Sequence, residues 1–318
     1  MAKLQSRPPE ANEMDVHALA ADFGFAECYV FTTEPFVAYE RRLQDGALHS
    51  DAKGVRFDIA QIAPWANAIL ALVYPYRPYA NEIPVSGYYP SSNAAYHVAG
   101  KLIRRLEESG VRAVRAEVPV AELLSRNGYG TLLKSGLTWL PGYGTRFYVT
   151  TLAAELTNPE YAPLRAPQPA RCATCHACER ACPSGAIDQS GYAYQKCARA
   201  YMCGGPMDRW VMDAMDCMLG CERCQTVCPY NVGIEPITQL PDAFRLEELL
   251  GGRVKPALEI VGKNLNKQGR LIQHACVVAG NQRRTDLIPL IESWRDDPRE
   301  AVRSAADYAL ELLRMQAE

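Results

Sequence analysis

Cysteines at regular intervals are the residues of this chain best suited to chemistry. The run RCATCHACERACP covers residues 171–183 and has the spacing C-x2-C-x2-C-x3-C followed by proline. This spacing holds a cubane iron–sulfur cluster: three closely spaced thiolates bind one cluster, and the fourth usually binds another. A second run, CERCQTVCP at residues 221–229, ends in the same way. The sequence therefore predicts two clusters with exchanged ligands.

The spacing leaves one cluster ligand open. The first cluster is expected to be held by Cys172, Cys175, Cys178 and Cys228. The second is expected to take Cys182, Cys221 and Cys224, together with Cys197, Cys203 or Cys217. Spacing alone does not choose among the last three. The solitary Cys28 and Cys276 are expected to be small buried hydrophobic residues, because that is the commoner role of a lone cysteine.

Structural zinc and disulfides are the alternative uses of such cysteines. A zinc site also uses C-x2-C pairs, but it seldom has a third cysteine at the same interval. Of the twelve cysteines, eight lie in metal-ligand spacing, and residues 1–12 contain no apolar signal segment. We therefore expect iron–sulfur clusters in a reducing cytoplasm.

The composition describes an ordinary globular protein. The chain has 318 residues, of which 48% are hydrophobic and 22% charged, with a net charge of −2. This length allows two or three domains at roughly 150 residues each. No apolar run approaches the ~20 residues of a membrane span, so we expect no contact with a membrane.

Apolar periodicity and turn residues predict the elements that position the cysteines. Helices are expected between Asp15 and Gly24 and at 94–108 and 120–127, and strands at 28–32, 68–73, 111–118 and 146–156. A proline-rich joint at 159–169 follows. Helices near 270–279, 285–294 and after Asp297-Pro298 are typical of a HEAT repeat. We expect an α+β fold with a mixed α/β domain (1–165), a two-cluster ferredoxin-like domain (166–240) and a helical HEAT-like domain (241–318).

Taken together, these motifs resemble the epoxyqueuosine reductase family, cobalamin-dependent enzymes of the last step of queuosine synthesis in tRNA. The resemblance extends from about residue 20 to residue 313. It is strongest in CATCHACERACPSGAI, the lone Cys197 and GCERCQTVCPYN. In the α/β domain it rests on Ala95-Tyr96-His97 and on GYGTLLKSGLTWLPGYGTRFYV at residues 128–149.

The resemblance implies cofactors and ligands that spacing does not give. It makes Cys197 the remaining ligand of the second cluster and leaves Cys203 and Cys217 as spare thiols. It also implies a base-off cobalamin between the α/β domain and the second cluster, contacted by Tyr96, His97, Lys134, Tyr143 and Gly144. Electrons from a low-potential donor of the flavodoxin or ferredoxin type would then pass through both clusters to cobalt, a nucleophile able to open an epoxide.

Two positions depart from the family pattern. The family has a proton-donating aspartate three residues before a proline, and the matching residue here is Ala116 in the sequence Ala116-Glu117-Val118-Pro119. Glu117 is the only acidic residue in that stretch. On a regular strand its side chain would point away from that of Ala116, so a bulge would be needed for it to act as the acid. Gly142 stands where the family tends to have a basic residue.

These departures keep two alternative functions open. One is a related corrinoid reductase with another substrate, acting like a dehalogenase. The other is a two-cluster electron-transfer protein without catalytic activity. Turnover of epoxyqueuosine in tRNA separates the family reaction from both.

A basic segment predicts contact with tRNA. Between residues 255 and 284 there are six basic residues and one acidic residue, Glu259. The basic residues are Lys255, Lys263, Lys267, Arg270, Arg283 and Arg284. Such a segment suits a phosphate-facing surface, although most charge runs are solvated helix faces.

Overall fold

The structure is a computed structural model that describes residues 15–44, 55–79, 83–166, 172–202, 205–237 and 241–315. The strands are β1 Glu27–Thr32, β2 Ala68–Pro75, β3 Ala113–Arg115, β4 Thr131–Leu132, β5 Thr138–Trp139, β6 Phe147–Ala154, β7 Ile187–Asp188 and β8 Gly191–Tyr192. The α-helices of the first two parts are α1 Val16–Asp22, α2 Val37–Gln44, α3 Tyr88–Glu108, α4 Val120–Arg126, α5 Ala177–Ala181, α6 Ala198–Tyr201, α7 Arg209–Asp213 and α8 Arg223–Thr226. Those of the last part are α9 Leu246–Leu250, α10 Lys255–Val261, α11 Arg270–Asn281, α12 Ile288–Glu292 and α13 Glu300–Arg314. Short 3-10 helices lie at Ile59–Gln61, Tyr194–Lys196, Pro229–Asn231, Asp242–Phe244, Lys263–Gly269 and Thr285–Leu287.

A four-stranded antiparallel sheet in the order β1-β2-β6-β3 organises the first part of the chain. Successive side chains of a strand point to opposite faces, so a strand covered on both faces needs a continuous apolar sequence. The central strand β2 meets this condition. Leu70 and Leu72 pack under α1 and α3, whereas Ile69 and Val73 pack under α4 on the other face.

The predicted elements of this part are confirmed, and the largest changes of boundary are in α3 and β3. Helix α3 begins at Tyr88, six residues before its predicted start at residue 94, and has Pro90 in its first turn. Proline is tolerated there because the first amides of a helix have no partner within the helix. Strand β3 is only Ala113–Arg115, shorter than the predicted 111–118.

The last part of the chain shares one hydrophobic core with the cysteine region. Met202, Met218 and Leu219 are buried together with residues of α9, α11 and α13. This core crosses the predicted boundary at residue 240, and the division into three domains stays a prediction. The last helices therefore depend on the cysteine module for part of their core, as expected of a short repeat that contacts its neighbours.

Helices α11 and α13 pack closely against each other. A Cβ atom at Gly280 would lie 2.8 Å from the Cα atom of Ala309, so glycine is required there. Four residues of α13, spaced three or four apart, are fully buried: Val302, Ala305, Ala309 and Leu313. The helix begins at Glu300, later than predicted, because the Asp297 carboxylate holds the turn by accepting a 2.9 Å bond from the Arg299 amide. A HEAT-type repeat remains a prediction for this part.

None of the helices in the described segments is both long and apolar enough to cross a membrane.

Candidate iron–sulfur and cofactor site

The structure brings the four thiols predicted for the first cluster into one neighbourhood. Cys178 lies on α5 and is 8% exposed. Burial raises the pKa of Cys178, and the neighbouring Cys172 and Cys175 raise it further. Burial also raises the pKa of Cys228, from the second run, and the same two cysteines add to this effect. The fold therefore carries Cys228 to the first run, as the predicted ligand exchange requires.

A second group of thiols lies beside the first. Burial raises the pKa of Cys224 to about 12, and Cys221, Cys197, Cys178 and Cys182 add to the increase through their charge. Burial likewise raises the pKa of Cys221, to which Cys197 contributes. Cys178 belongs to the first group, yet its charge raises the pKa of Cys224 in the second. The two groups are therefore close enough to interact electrostatically.

Cys182 already has partners suited to a thiolate. Burial alone would raise its pKa, but hydrogen bonds from Ser184 and from the Ala186 amide lower it overall. The Ala186 amide donates to Sγ over 3.3 Å. Such outer hydrogen bonds to sulfur orient and tune metal ligands.

The remaining cysteines differ in their surroundings. Cys217 is 5% exposed, and its thiol donates to the Met218 carbonyl over 3.4 Å. Burial raises the pKa of Cys217 well above its ordinary value. Cys28 and Cys276 lie in hydrophobic cores, as expected, and Cys203 lies outside the described residues.

Among the described residues, no three Cys, His, Asp or Glu side chains are arranged around a single ion position. A cubane cluster has a different requirement, because it takes four cysteines spread over the cluster. The choice of Cys197 as the last ligand stays a prediction.

Ion pairs join the cysteine runs to the α/β part. Lys134, in the turn between β4 and β5, pairs with Glu179 over 2.6 Å, and the two side chains are 10% and 15% exposed. Arg146 pairs with Glu222 over 2.5 Å, at side-chain exposures of 3% and 10%. Glu222 also accepts a 2.8 Å bond from the Gly87 amide.

A buried hydrogen-bond network closes the same interface. The Thr145 amide donates to Asn231 Oδ1 over 2.7 Å, and Gln225 Nε2 donates to the Thr145 carbonyl over 2.8 Å. Gly144 stands beside it in a left-handed conformation, with φ 61°. A Cβ atom at Gly144 would lie 2.1 Å from Asn231 Oδ1. The glycine is therefore needed for contact between the two parts.

A cavity of about 620 Å³ separates the sheet from the second group of cysteines. This volume lies within the range of roughly 300–1,000 Å³ that is usual for cofactor and ligand pockets. The cysteine-module residues in its wall include Cys182, Cys197, Cys221, Cys224 and Tyr192. From the α/β part, the wall includes Tyr76, Tyr96, Arg115, Glu117, Tyr148 and Thr150.

Glu117 lies in the wall of the cavity, whereas Ala116 is fully buried in the hydrophobic core on one face of the sheet. No bulge is needed, because Glu117 lies two residues after Arg115, which is also in the cavity wall, and side chains two apart on extended backbone share a face, whereas Ala116 faces the buried side. The expectation that Glu117 needs a bulge is therefore corrected. Burial raises the pKa of the neighbouring Tyr148, and Tyr88 and Glu117 raise it further.

Only one of the residues predicted to contact cobalamin lines the cavity. Tyr96 does so and is 56% exposed, whereas His97, Lys134, Tyr143 and Gly144 are absent from the lining. Lys134 and Gly144 instead contact the cysteine module, and the Tyr143 hydroxyl donates to Glu27 Oε1 over 2.9 Å. The sequence could not show these orientations, because they depend on contacts between distant segments.

Arg115 is a cavity residue that the sequence interpretation missed. Its guanidinium lies 3.9 Å from the centre of the Tyr96 ring and donates a 2.5 Å bond to the Tyr96 carbonyl. The sequence signal for Arg115 was its position two residues before Glu117, because side chains two apart on a strand point to the same face.

The predicted tRNA-binding residues do not form one patch. Lys263, Lys267 and Arg270 lie at the start of α11, and Arg283 and Arg284 lie beyond its end, separated by twelve helical residues or ~18 Å. Arg284 is also paired with Glu247 over 2.5 Å and with Asp286 over 2.7 Å. Its charge is therefore largely balanced within the protein.

Comparison with known proteins supports the interpretation of the cysteine module. Residues 171–232 match the model of a 4Fe-4S dicluster domain. This match confirms the prediction of a two-cluster iron–sulfur module.

Similar proteins cover nearly the whole chain. The epoxyqueuosine reductase of Listeria monocytogenes is 25% identical over 98% of this chain and 91% of its own length. That of Bacillus cereus is 24% identical over 95% of this chain and 89% of its own.

Solved structures show the same fold. A crystal structure of epoxyqueuosine reductase with an epoxyqueuosine-modified tRNA-Tyr stem loop has a TM-score of 0.74 at 19% identity, covering 93% of this chain and 88% of that one. The Streptococcus thermophilus enzyme has a TM-score of 0.70 at 18% identity, covering 94% and 90%. The resemblance to the epoxyqueuosine reductase family predicted from the sequence is therefore confirmed over nearly the entire chain.

Proposed function

We propose that this protein is an iron–sulfur, corrinoid-dependent oxidoreductase that reduces epoxyqueuosine in tRNA. The observation that carries the proposal is the cavity, which has cysteines of the second group on one side and Glu117 on the other. Its relatives in Listeria monocytogenes and Bacillus cereus are named for this activity.

The proposed ligand sets follow the grouping of the thiols. Cys172, Cys175, Cys178 and Cys228 would hold the first cluster, and Cys182, Cys197, Cys221 and Cys224 the second. Two observations support Cys197 as a ligand of the second cluster. Its charge raises the pKa of both Cys221 and Cys224, and it lies in the cavity wall. The Cys217 thiol is instead engaged with the Met218 carbonyl.

The cavity suits a corrinoid because it lies between the sheet and the second group of cysteines, from which the cofactor would receive electrons. One wall consists of the β6 residues from Phe147 to Thr151, and the other contains the second group of cysteines. We propose Tyr96, Tyr148, Thr150 and Tyr192 as contacts for the cofactor, in place of the predicted His97, Lys134, Tyr143 and Gly144. A bound corrinoid would supply a nucleophilic cobalt centre suited to opening an epoxide, and the clusters would supply it with single electrons.

Glu117 is proposed to deliver a proton to the substrate. Reductive removal of an epoxide oxygen as water takes two electrons and two protons, so a proton source beside the substrate is required. A carboxyl group in the cavity wall can act as a general acid if the substrate oxygen comes within hydrogen-bond distance. Arg115 and Tyr148 lie beside it in the wall and can orient the substrate.

The proposal also includes partners. The substrate is tRNA, and Lys263, Lys267 and Arg270 provide the basic surface nearest to one end of α11. A flavodoxin- or ferredoxin-type protein is proposed as the electron donor to the first cluster.

The test is anaerobic reconstitution followed by cobalamin titration and turnover of an epoxyqueuosine-containing tRNA stem loop. We expect about eight irons per chain, a base-off Co(II) signal and conversion to queuosine. Glu117→Gln should lower turnover at least 100-fold without changing iron content or corrinoid affinity, since general acids contribute about 10²–10⁴-fold. Glu160→Gln, on an exposed site outside the cavity wall, is the matched control.

Each outcome decides between the alternatives. Eight irons without corrinoid uptake would favour an electron-transfer protein. Corrinoid uptake without turnover of epoxyqueuosine would favour another substrate.

A further inference from the structure

Both cysteine runs contain the tripeptide Cys-Glu-Arg, and the fold uses the two glutamates in the same way. Glu179 in the first run and Glu222 in the second each pair with a cation from the α/β part. Their partners are Lys134 and Arg146, respectively. Each cysteine run thus carries one glutamate that is paired with a cation of the α/β part.

The two pairs differ in what else they contact. Arg146 and Glu222 are deeply buried and also bond to Thr226 and Gly87, which ties several elements together. The Lys134 contacts converge on the first cysteine run. Its amide donates to Cys172 Sγ over 3.3 Å, and its ammonium group donates to the Cys175 carbonyl over 3.3 Å.

The position of the Lys134 backbone is fixed without its side chain. The Leu133 amide donates to the Leu137 carbonyl over 2.8 Å, and the Gly136 amide donates to the Leu133 carbonyl over 2.9 Å. Gly136 has φ 75°, and a Cβ atom there would lie 2.6 Å from the Tyr192 ring. A change of the Lys134 side chain should therefore leave the amide donor to Cys172 in place.

We propose that Lys134 and Glu179 set the reduction potential of the first cluster with opposite signs. The proposal rests on the cluster assignment made above, in which Cys172 and Cys175 are ligands. Reduction adds one negative charge to a cluster, so a nearby cation favours the reduced state and a nearby carboxylate opposes it. Lys134 and Glu179 are positioning and tuning residues that do not touch the substrate.

The geometry makes the pair suitable for this role. Both side chains are mostly withdrawn from water, where charges act more strongly than at an open surface. His176 Nδ1 lies 2.9 Å from the second carboxylate oxygen of Glu179, which holds that group in place.

The test is a potentiometric titration of the anaerobically reconstituted full chain, reduced with dithionite and followed by electron paramagnetic resonance. The wave of the first cluster is identified by its loss in Cys175→Ser. Lys134→Met should lower that potential and Glu179→Gln should raise it. Each variant should change the reduced-to-oxidised ratio of the first cluster at least tenfold at a fixed potential. This change corresponds to a shift of ~59 mV in the midpoint potential of a one-electron couple.

Matched variants separate electrostatics from structure. Lys134→Arg keeps the charge and should retain the wild-type potential. Lys101→Met makes the same substitution as Lys134→Met on an exposed part of α3 and should have no effect. Shifts of equal sign in Lys134→Met and Glu179→Gln, or no shift in either, would overturn the proposal.

The outcome does not depend on a single variant. If Lys134→Met loses the first cluster, the sign of the shift in Glu179→Gln still decides. Opposite shifts in a protein that does not turn over epoxyqueuosine would support this inference and refute the proposed substrate. Failure of the wild type to bind two clusters would instead refute the cluster assignment.

Discussion

Breaking the buried Arg146–Glu222 ion pair should destabilise the protein more than removing both charges. Arg146→Met leaves Glu222 buried with its remaining bond from the Gly87 amide. Removing one partner of a buried pair typically costs about 3–5 kcal/mol, because the other charge remains without compensation. The double variant Arg146→Met, Glu222→Met leaves no such charge, and its cost should be smaller than that of Arg146→Met alone.

The loss can be expressed as a melting temperature. With an unfolding entropy of ~2.1 cal/mol/K per residue, a loss of about 3–5 kcal/mol lowers the Tm of a 318-residue chain by roughly 4–8 °C. The assay is thermal unfolding of the four proteins of the double-mutant cycle, measured anaerobically at one scan rate. Cluster absorbance and far-ultraviolet circular dichroism should report the same order of stability.

The result that would refute this reasoning is additivity. If the double variant loses as much as the sum of the single variants, the two side chains are not coupled and the ion pair does not hold the interface. Arg295→Met is the control, because its pair with Asp307 is half exposed and should contribute no more than ~1 kcal/mol.

Three further predictions follow from other contacts. Burial lowers the pKa of His274 to about 3, so the folded protein favours the neutral imidazole. The free energy of unfolding should therefore fall by ~1.4 kcal/mol per pH unit as the pH drops from about 6.5 towards that value. His274→Gln should reduce this slope in acid denaturation. Gly144→Ala should destabilise the protein by about 2–4 kcal/mol, from the left-handed backbone and the lost Asn231 contact, as measured by Tm; an unchanged Tm would contradict the packing described. Lys263→Ala with Lys267→Ala should weaken stem-loop binding and its salt dependence in fluorescence anisotropy, whereas Arg284→Ala should change binding little; equal effects would place the RNA elsewhere.

Local patterns in the sequence were sufficient to predict a two-cluster module, although they left one ligand of the second cluster open. The spacing of the two runs is a property of short loops, so it predicted the dicluster match at 171–232. The central strand β2 was equally clear, because a continuous apolar run records burial on both faces. The start of α3 was predicted six residues too late, because Ser92 and Asn93, the polar residues just before residue 94, lie inside the helix and donate to the Tyr89 and Ile260 carbonyls.

The cofactor cavity was beyond local patterns. Whether Glu117 or Ala116 faces the cavity depends on which side chains of β3 point to that face of the sheet, and this is set by the register of its pairing with β6. Lys134 was predicted to contact the cofactor, but in the structure its side chain bonds to Glu179, which lies 45 positions later in the chain. Contacts between distant segments have no signature in the spacing of residues.

The core shared between the cysteine module and the last helices also has a consequence for biosynthesis. His274 on α11 accepts a 3.1 Å hydrogen bond from the Leu219 amide, two residues before Cys221. On a ribosome, the first cysteine run emerges well before this helix does. We therefore expect the loop before Cys221 to reach its final arrangement only after α11 has been synthesised.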